Sequence, residues 1–189
     1  HDITVTITGT NDVPRISGDT TGGVTEEAAA TLTTSGTLLS EDVDLDEDGF
    51  STTVDNTGKI GQLTITENGA WEYTVDNNTA AIQQLGEGDT LTETFTVTSK
   101  DGSATETITI AINGTNDLPT ISGDDSSSVK ELGADVDQDV SLTTGGTLTI
   151  DDDDAGESLF DTNVDQGDNI GELTITESGE WTYSIDNNI

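Results

Sequence analysis

Nine consecutive residues, Glu41-Asp42-Val43-Asp44-Leu45-Asp46-Glu47-Asp48-Gly49, set carboxylates at alternate positions and close on a glycine. Oxygen ligands at that spacing, followed by a residue that permits a sharp turn, suit a hard cation that gathers several oxygens, calcium above all. Carboxylates held together without a counterion raise one another's pKa and cost stability. The run therefore calls for a bound cation, or else for full solvation as an acidic loop.

The whole chain leans the same way. Its 189 residues carry 39 acidic against 4 basic side chains, a formal charge of -35. Nucleic acid needs clustered Lys and Arg, so binding to a phosphate backbone is excluded. Asp44, Asp46, Asp48 and Gly49 fall at the first, third, fifth and sixth places of EF-hand spacing. The twelfth place is Asp55 and no helical pattern flanks the loop, so a true EF-hand is not expected. Catalysis has little to work with. There is no Cys, which removes thiol nucleophiles, disulfides and zinc-thiolate sites. The single His, His1, is matched by Glu106 in the next repeat, and Lys59 by Asn169. No carboxylate pair is set apart by an apolar pocket motif, so the chain does not read as an enzyme. No apolar run approaches a membrane span, and the first residues lack the layout of a signal peptide; membrane insertion is not expected.

Internal repeats show what must position the acidic run. Gly9-Thr10-Asn11-Asp12-Val13-Pro14 returns 105 positions later as Gly114-Thr115-Asn116-Asp117-Leu118-Pro119. GQLTITENGAWEYTVDNN, starting at Gly61, returns 110 positions later as GELTITESGEWTYSIDNN, starting at Gly171, with 12 of 18 residues identical. The growing offset places a five-residue insertion in the acidic stretch 133–140. Ile3-Thr4-Val5-Thr6-Ile7 matches Ile108-Thr109-Ile110-Ala111-Ile112. The expected organisation is the last strand of a preceding repeat (1–8), a complete repeat (9–113) and a second repeat lacking its final strands (114–189).

Alternating Thr, Val, Ile and Leu predict seven strands in the complete repeat, near 16–26, 30–39, 50–55, 62–66, 71–75, 91–98 and 104–112. Asn68-Gly69 signals a tight hairpin with both central residues at positive φ. A short helix is expected over Ala80, Ala81, Ile82 and Leu85, with Asn78 as N-cap and Gly86 as its stop. Trp71, Tyr73 and Val75 share one strand face, as do Trp181, Tyr183 and Ile185, and are expected in the core. Seven short strands in a repeat of this size predict an all-β fold: tandem seven-stranded Greek-key β-sandwiches, arranged end to end. With strands alternating in direction, the loop 40–49, the Asn68-Gly69 hairpin and the loop 99–103 gather at the end that faces Asn11-Asp12.

The ending TITIAINGTNDLP and the segment GELTITESGEWTYSIDNN resemble VCBS-type repeats of large bacterial RTX-type surface adhesins. Leu-Gly-Glu-Gly-Asp-Thr-Leu from Leu85 to Leu91 belongs to the same set. Asn-Asp before Pro, Asp-x-Asp in a strand connection and Asp-Gly in the late hairpin are also similar to calcium-ligating motifs of cadherin domains. The resemblance implies an immunoglobulin/cadherin-like fold. It implies Ca2+ ligands Asn11, Asp12, Asp42, Asp44 and Asp101 at one junction, and Asn116, Asp117, Asp152 and Asp154 at the next. Asp46 and Asp48 join the candidates through their place in the acidic run. Asp46 becomes Gly156 in the second repeat, and no counterpart of Asp101 follows.

The function expected from these features is a calcium-rigidified extender of a secreted adhesin on the bacterial cell surface. It holds a distal binding domain outward for adhesion or biofilm formation, and the resemblance implies type I secretion. The alternative is a module that itself binds a glycan, a partner adhesin or ice. The expected partners are calcium ions and neighbouring repeats of the same chain. Because the second repeat lacks the strands that would cover its sheet, the further expectation is either strand exchange between copies through residues 3–7 or a fold boundary shifted from the sequence repeat.

Overall fold

The computed structural model describes residues 1–132 and 140–187 and divides into two compact units, His1–Thr115 and Asn116–Ile189. The insertion ascribed to 133–140 lies, Val140 apart, outside the described residues.

Unit 1 holds β1 (Arg15–Gly18), β2 (Thr21–Thr25), β3 (Thr31–Glu41), β4 (Gln62–Ile65), β5 (Ala70–Asp76), α1 (Ala80–Gln83), β6 (Thr90–Thr98) and β7 (Thr105–Asn113). Two sheets form, in the orders β1-β3-β5-β4 and β2-β7-β6. All pairings are antiparallel except β2 with β7, which run parallel. Alternation sends one residue in two inward, so Trp71, Tyr73 and Val75 of β5 meet Phe95 and Val97 of β6 and Ile108, Ile110 and Ile112 of β7 in one core. Tyr73 and Phe95 join the sheets directly, ring centroids 5.7 Å apart and tilted by 56°. This is an immunoglobulin/cadherin-like Greek-key β-sandwich, as the pattern of strands predicts.

The strand expected over 16–26 is two strands on opposite sheets. Gly18 sits at φ 119 with Thr37 O only 2.4 Å from where a Cβ would lie, and there the chain leaves β3 and crosses to β7. The third expected strand, 50–55, shrinks to one bridge between Phe50 and Ser99, with Ser51 N–H donating to Thr98 O. Beyond it the backbone bonds to side chains. Asn56 exchanges hydrogen bonds with Leu63, and Glu93 of β6 accepts from the N–H groups of Ile60 (2.9 Å) and Gly61 (3.1 Å). The 66–70 hairpin also differs from expectation. Only Gly69 has positive φ, at 83°; its N–H donates to Thr66 O and Thr66 N–H donates to Ala70 O, a longer turn with a bulge. The helix is N-capped by Thr79, which makes no side-chain cap bond, and its C-cap is Gln84, before Gly86; Asn78 bonds Asp76 instead. Residues 3–7 form no strand, and Ile3, Val5 and Ile7 are 90%, 77% and 91% exposed. An extended segment becomes a strand only against a partner ladder, and no described strand pairs with it.

Glu93 is a buried acid in phase with Leu91, Phe95 and Val97 on the inward face of β6. Tyr73 donates its hydroxyl to Glu93 Oε2 at 2.7 Å. Burial, then the hydrogen bond and charge of Glu93, push the Tyr73 phenol far up from its ordinary pKa. Tyr73→Phe is expected to destabilise unit 1 by about 1.5–3 kcal/mol, because it withdraws a donor from a buried carboxylate. Urea denaturation measures this, and an unchanged midpoint contradicts it.

Unit 2 holds β8 (Thr120–Gly123), β9 (Ser141–Asp151), β10 (Glu172–Ile175) and β11 (Glu180–Asp186), one sheet in the order β10-β11-β9-β8. It repeats β1, β3, β4 and β5 of unit 1, down to the Thr176–Glu180 turn and its left-handed Gly179. No second sheet faces it among the described residues. Of the three residues expected in its core, Ile185 is 6% exposed while Trp181 and Tyr183 are only half-buried.

Candidate metal centre

β3 runs out at Glu41, and the acidic run folds back on itself. Asp42 Oδ1 accepts the N–H of Asp44 at 2.8 Å, an Asx turn, while the N–H of Asp42 donates to Asp48 Oδ1 at 2.7 Å. Asp46 takes φ 66 and Glu47 N–H reaches Asp44 O, which closes the loop. Lys100 N–H donates to Gly49 O and Lys100 Nζ to Asp46 O, tying the loop to the β6–β7 turn. On the other side, Asp12 N–H donates to Asp44 Oδ2 at 2.7 Å and Asn11 Nδ2 to Asp101 Oδ2 at 3.2 Å. Asn11, Asp12, Asp42, Asp44 and Asp101 are thus brought together at one end of the sandwich.

Carboxylate oxygens of Asp42, Glu47 and Asp101 lie within 4.8 Å of one another. Glu47 is the residue that reading the sequence missed. Its signal was its survival as Glu157 while the flanking Asp46 and Asp48 become Gly156 and Ser158. Asp42 Oδ2 and Glu47 Oε2 are buried and accept no hydrogen bond. Burial first, then the charges of Asp44, Asp42 and Asp101, push the Glu47 carboxyl up, against a smaller opposing effect of Lys100. Hydrogen bonds from Ser103 first and Ser99 next hold Asp101 well below the usual carboxylate range, so it stays ionised. Buried anionic oxygens facing one another without donors, in an all-oxygen set, fit a hard divalent cation such as calcium.

Asp46 and Asp48 stand apart from this group. Both are exposed. Asp46 supplies a left-handed turn, which Gly156 makes at φ 89 in unit 2. Asp48 braces the Asp42 N–H, which Ser158 Oγ does for Asp152 at 3.0 Å. Replacing Asp46 by Gly in the second repeat therefore leaves the cradle intact.

Unit 2 rebuilds that cradle. Asp152 Oδ1 accepts Asp154 N–H at 3.0 Å, Asp117 N–H donates to Asp154 Oδ2 at 2.8 Å, and Asn116 Nδ2 donates to Asp117 O. Asp154 is 2% exposed and its Oδ1 accepts no hydrogen bond. Glu157 N–H reaches Asp154 O as Glu47 N–H reaches Asp44 O. No described residue of unit 2 occupies the place of Asp101.

The far end of unit 1 carries a second acidic pair of another kind. Glu26, 1% exposed, accepts from Gln83 Nε2 and from the N–H of Thr115, and Glu27 accepts from Asn77 and Gln83. Amides satisfy these carboxylates, and Gln83 first, then Asn77, hold Glu27 below its ordinary pKa.

No curated protein matches the chain. Among solved structures, a crystal structure of the titin domains z1z2 in complex with telethonin is 13% identical, with 94% of this chain and 83% of that one covered at a TM-score of 0.33. An anomalous substructure of Titin-A168169 is 11% identical, with coverage of 94% and 85% and a TM-score of 0.36. Residues 11–114, from Asn11 to just past the end of β7, match the bacterial cadherin-like domain, and the chain belongs to that family.

Proposed function

We propose that this chain is a calcium-rigidified extender segment of a secreted bacterial surface adhesin, which holds a distal binding domain away from the cell. As a bacterial cadherin-like domain it is an extracellular structural module, of a kind that generally binds calcium and performs no catalysis. The finer reading rests on one observation: Asp42 Oδ2 and Glu47 Oε2 are buried without a donor beside Asp101, at the end of the sandwich where Asn11 and Asp12 enter. Asp42, Glu47 and Asp101 hold the cation, with Asn11, Asp12 and Asp44 around it. Asp152, Asp154 and Glu157, with Asn116 and Asp117, do the same in unit 2. The ion supplies positive charge that converts carboxylate repulsion into a fixed loop and a fixed entry segment.

Stiffness follows from how little chain is left over. Thr115 is bonded to Glu26 of unit 1 and Asp117 to Asp154 of unit 2, and only Asn116 separates them in sequence. Strands of roughly ten residues give each repeat about 35 Å of length. Sites open to solvent in extracellular modules bind calcium with Kd of about 0.1–1 mM, and that range is expected here. Small-angle scattering of the 189-residue chain tests the proposal. Calcium is expected to raise the maximum dimension and narrow the distribution of distances relative to chelator. Superimposable profiles in the two conditions overturn it.

A further inference from the structure

We infer that the Lys100 ammonium is the resident counter-cation of the acidic cradle in unit 1: it steadies the loop when no ion is bound, and its charge weakens calcium binding there. Lys100 thereby sets the calcium concentration at which the loop locks. The inference rests on the calcium reading proposed above and names a residue that tunes the site without supplying a ligand oxygen.

Positive charge is scarce in this chain, with 4 basic side chains against 39 acidic ones. Arg15, Lys59 and Lys100 belong to unit 1, and they are placed differently. Arg15 opens β1 opposite Glu41, and Lys59 lies over the Phe95 ring, 5.4 Å from its centroid. Lys100 stands in the β6–β7 turn, immediately before Asp101. Its backbone N–H donates to Gly49 O at 3.0 Å, and its Nζ donates to Asp46 O at 2.9 Å. The second bond is charge-assisted, and it falls on the left-handed residue that precedes Glu47. The loop itself therefore holds the ammonium beside the cradle.

Glu47 feels that charge. Burial first, then Asp44, Asp42 and Asp101, raise its carboxyl, and Lys100 opposes them. Carboxylate oxygens of Asp42, Glu47 and Asp101 lie within 4.8 Å of one another, so the ion-free cradle is an anionic cluster whose repulsion one neighbouring ammonium lowers. Calcium brings two positive charges to the same place, and the ammonium then gains less from the occupied cradle than from the empty one. The coupling is reciprocal, so calcium binds less tightly in the presence of the ammonium. Lys100 is exposed, and screening keeps the effect to about three- to fivefold in Kd. The bond to Gly49 comes from the backbone, so a change of side chain at this position leaves the loop clamped to the turn.

Titration of the full chain with calcium chloride, followed through the NMR amide signals of residues 42–48, reads this site apart from that of unit 2. Lys100→Met keeps the aliphatic stem and loses the charge. It is expected to bind calcium about three- to fivefold more tightly than wild type in about 50 mM KCl, and the gap to shrink below about twofold in about 0.5 M KCl. Lys100→Arg is expected to match wild type. A merely structural tether at Lys100 gives a ratio that salt does not move. In chelator, Lys100→Met is expected to melt below wild type, a readout that involves no calcium. A Met variant that binds calcium no more tightly, a gap indifferent to salt, or a melting temperature in chelator that is unchanged or higher each overturns the inference. Wild-type signals that ignore calcium overturn the calcium reading and this inference with it. Signals that respond alike in wild type and Lys100→Met overturn this inference alone.

Discussion

Trp71→Ala is expected to destabilise unit 1 by about 3–5 kcal/mol, and Trp181→Ala to cost unit 2 well under half as much. The two indoles have the same local setting. Each lies over a glycine, Gly36 or Gly146, and each donates its N–H to the carbonyl of an aspartate, Asp19 at 2.8 Å or Asp124 at 2.6 Å. What differs is the facing sheet. Gly22 and Ile110 close over Trp71, so truncation leaves a cavity walled on every side. Trp181 borders the open trough, where water fills the space at little cost. Far-UV circular dichroism in urea follows the mutated unit, while the remaining Trp, one of only two in the chain, reports on the other unit by fluorescence. Equal losses at the two sites contradict this reading of the two faces.

Which residues face inward was legible in the sequence, because alternation is a property of neighbouring residues. Which sheet a strand joins was not. The run from Ile16 to Glu26 reads as one strand, and only the approach of Gly18 to Thr37 O divides it between two ladders. The strand expected over 50–55 shrinks to the Phe50–Ser99 bridge, and the chain after it bonds to side chains instead of a ladder. Glu93, for one, accepts the N–H groups of Ile60 and Gly61, and its place among Leu91, Phe95 and Val97 was the available clue to its burial. At the Asn68-Gly69 turn the residue pair located the hairpin but not its type, which depends on the bond from Gly69 to Thr66.

The candidate site was legible in part for the same reason. The resemblance to cadherin motifs picked out Asp42, Asp44 and Asp101, and strand direction predicted that their loops gather at one end. The alternating template also selected Asp46 and Asp48, which are exposed and serve the turn and the Asp42 N–H, and passed over Glu47, which follows the left-handed Asp46 and joins the cluster. An EF-hand spacing presumes a loop that winds steadily around its ion. This one doubles back through the Asx turn at Asp42, so the sequence parity of its ligands is broken.

That difference sets the last expected result. In wild-type protein, about 10 mM calcium at a Kd of about 0.1–1 mM is expected to stabilise unit 1 by about 1.5–3 kcal/mol. For a unit of this size that raises Tm by about 5–15 °C over chelator. The double variant Asp42→Asn, Glu47→Gln is expected to lose this increment, and Asp46→Gly to keep it, because Gly156 already takes that turn in unit 2. In chelator the order reverses: the double variant melts above the wild type. Without an ion, Asp42 Oδ2 and Glu47 Oε2 are buried, lack donors and repel each other and Asp101, and amides remove two of those charges. Differential scanning calorimetry with and without calcium reads all four comparisons. A double variant that keeps the full calcium shift, or an Asp46→Gly chain that loses it, assigns the ion to other oxygens. A double variant less stable than wild type in chelator shows instead that these carboxylates are satisfied without any cation.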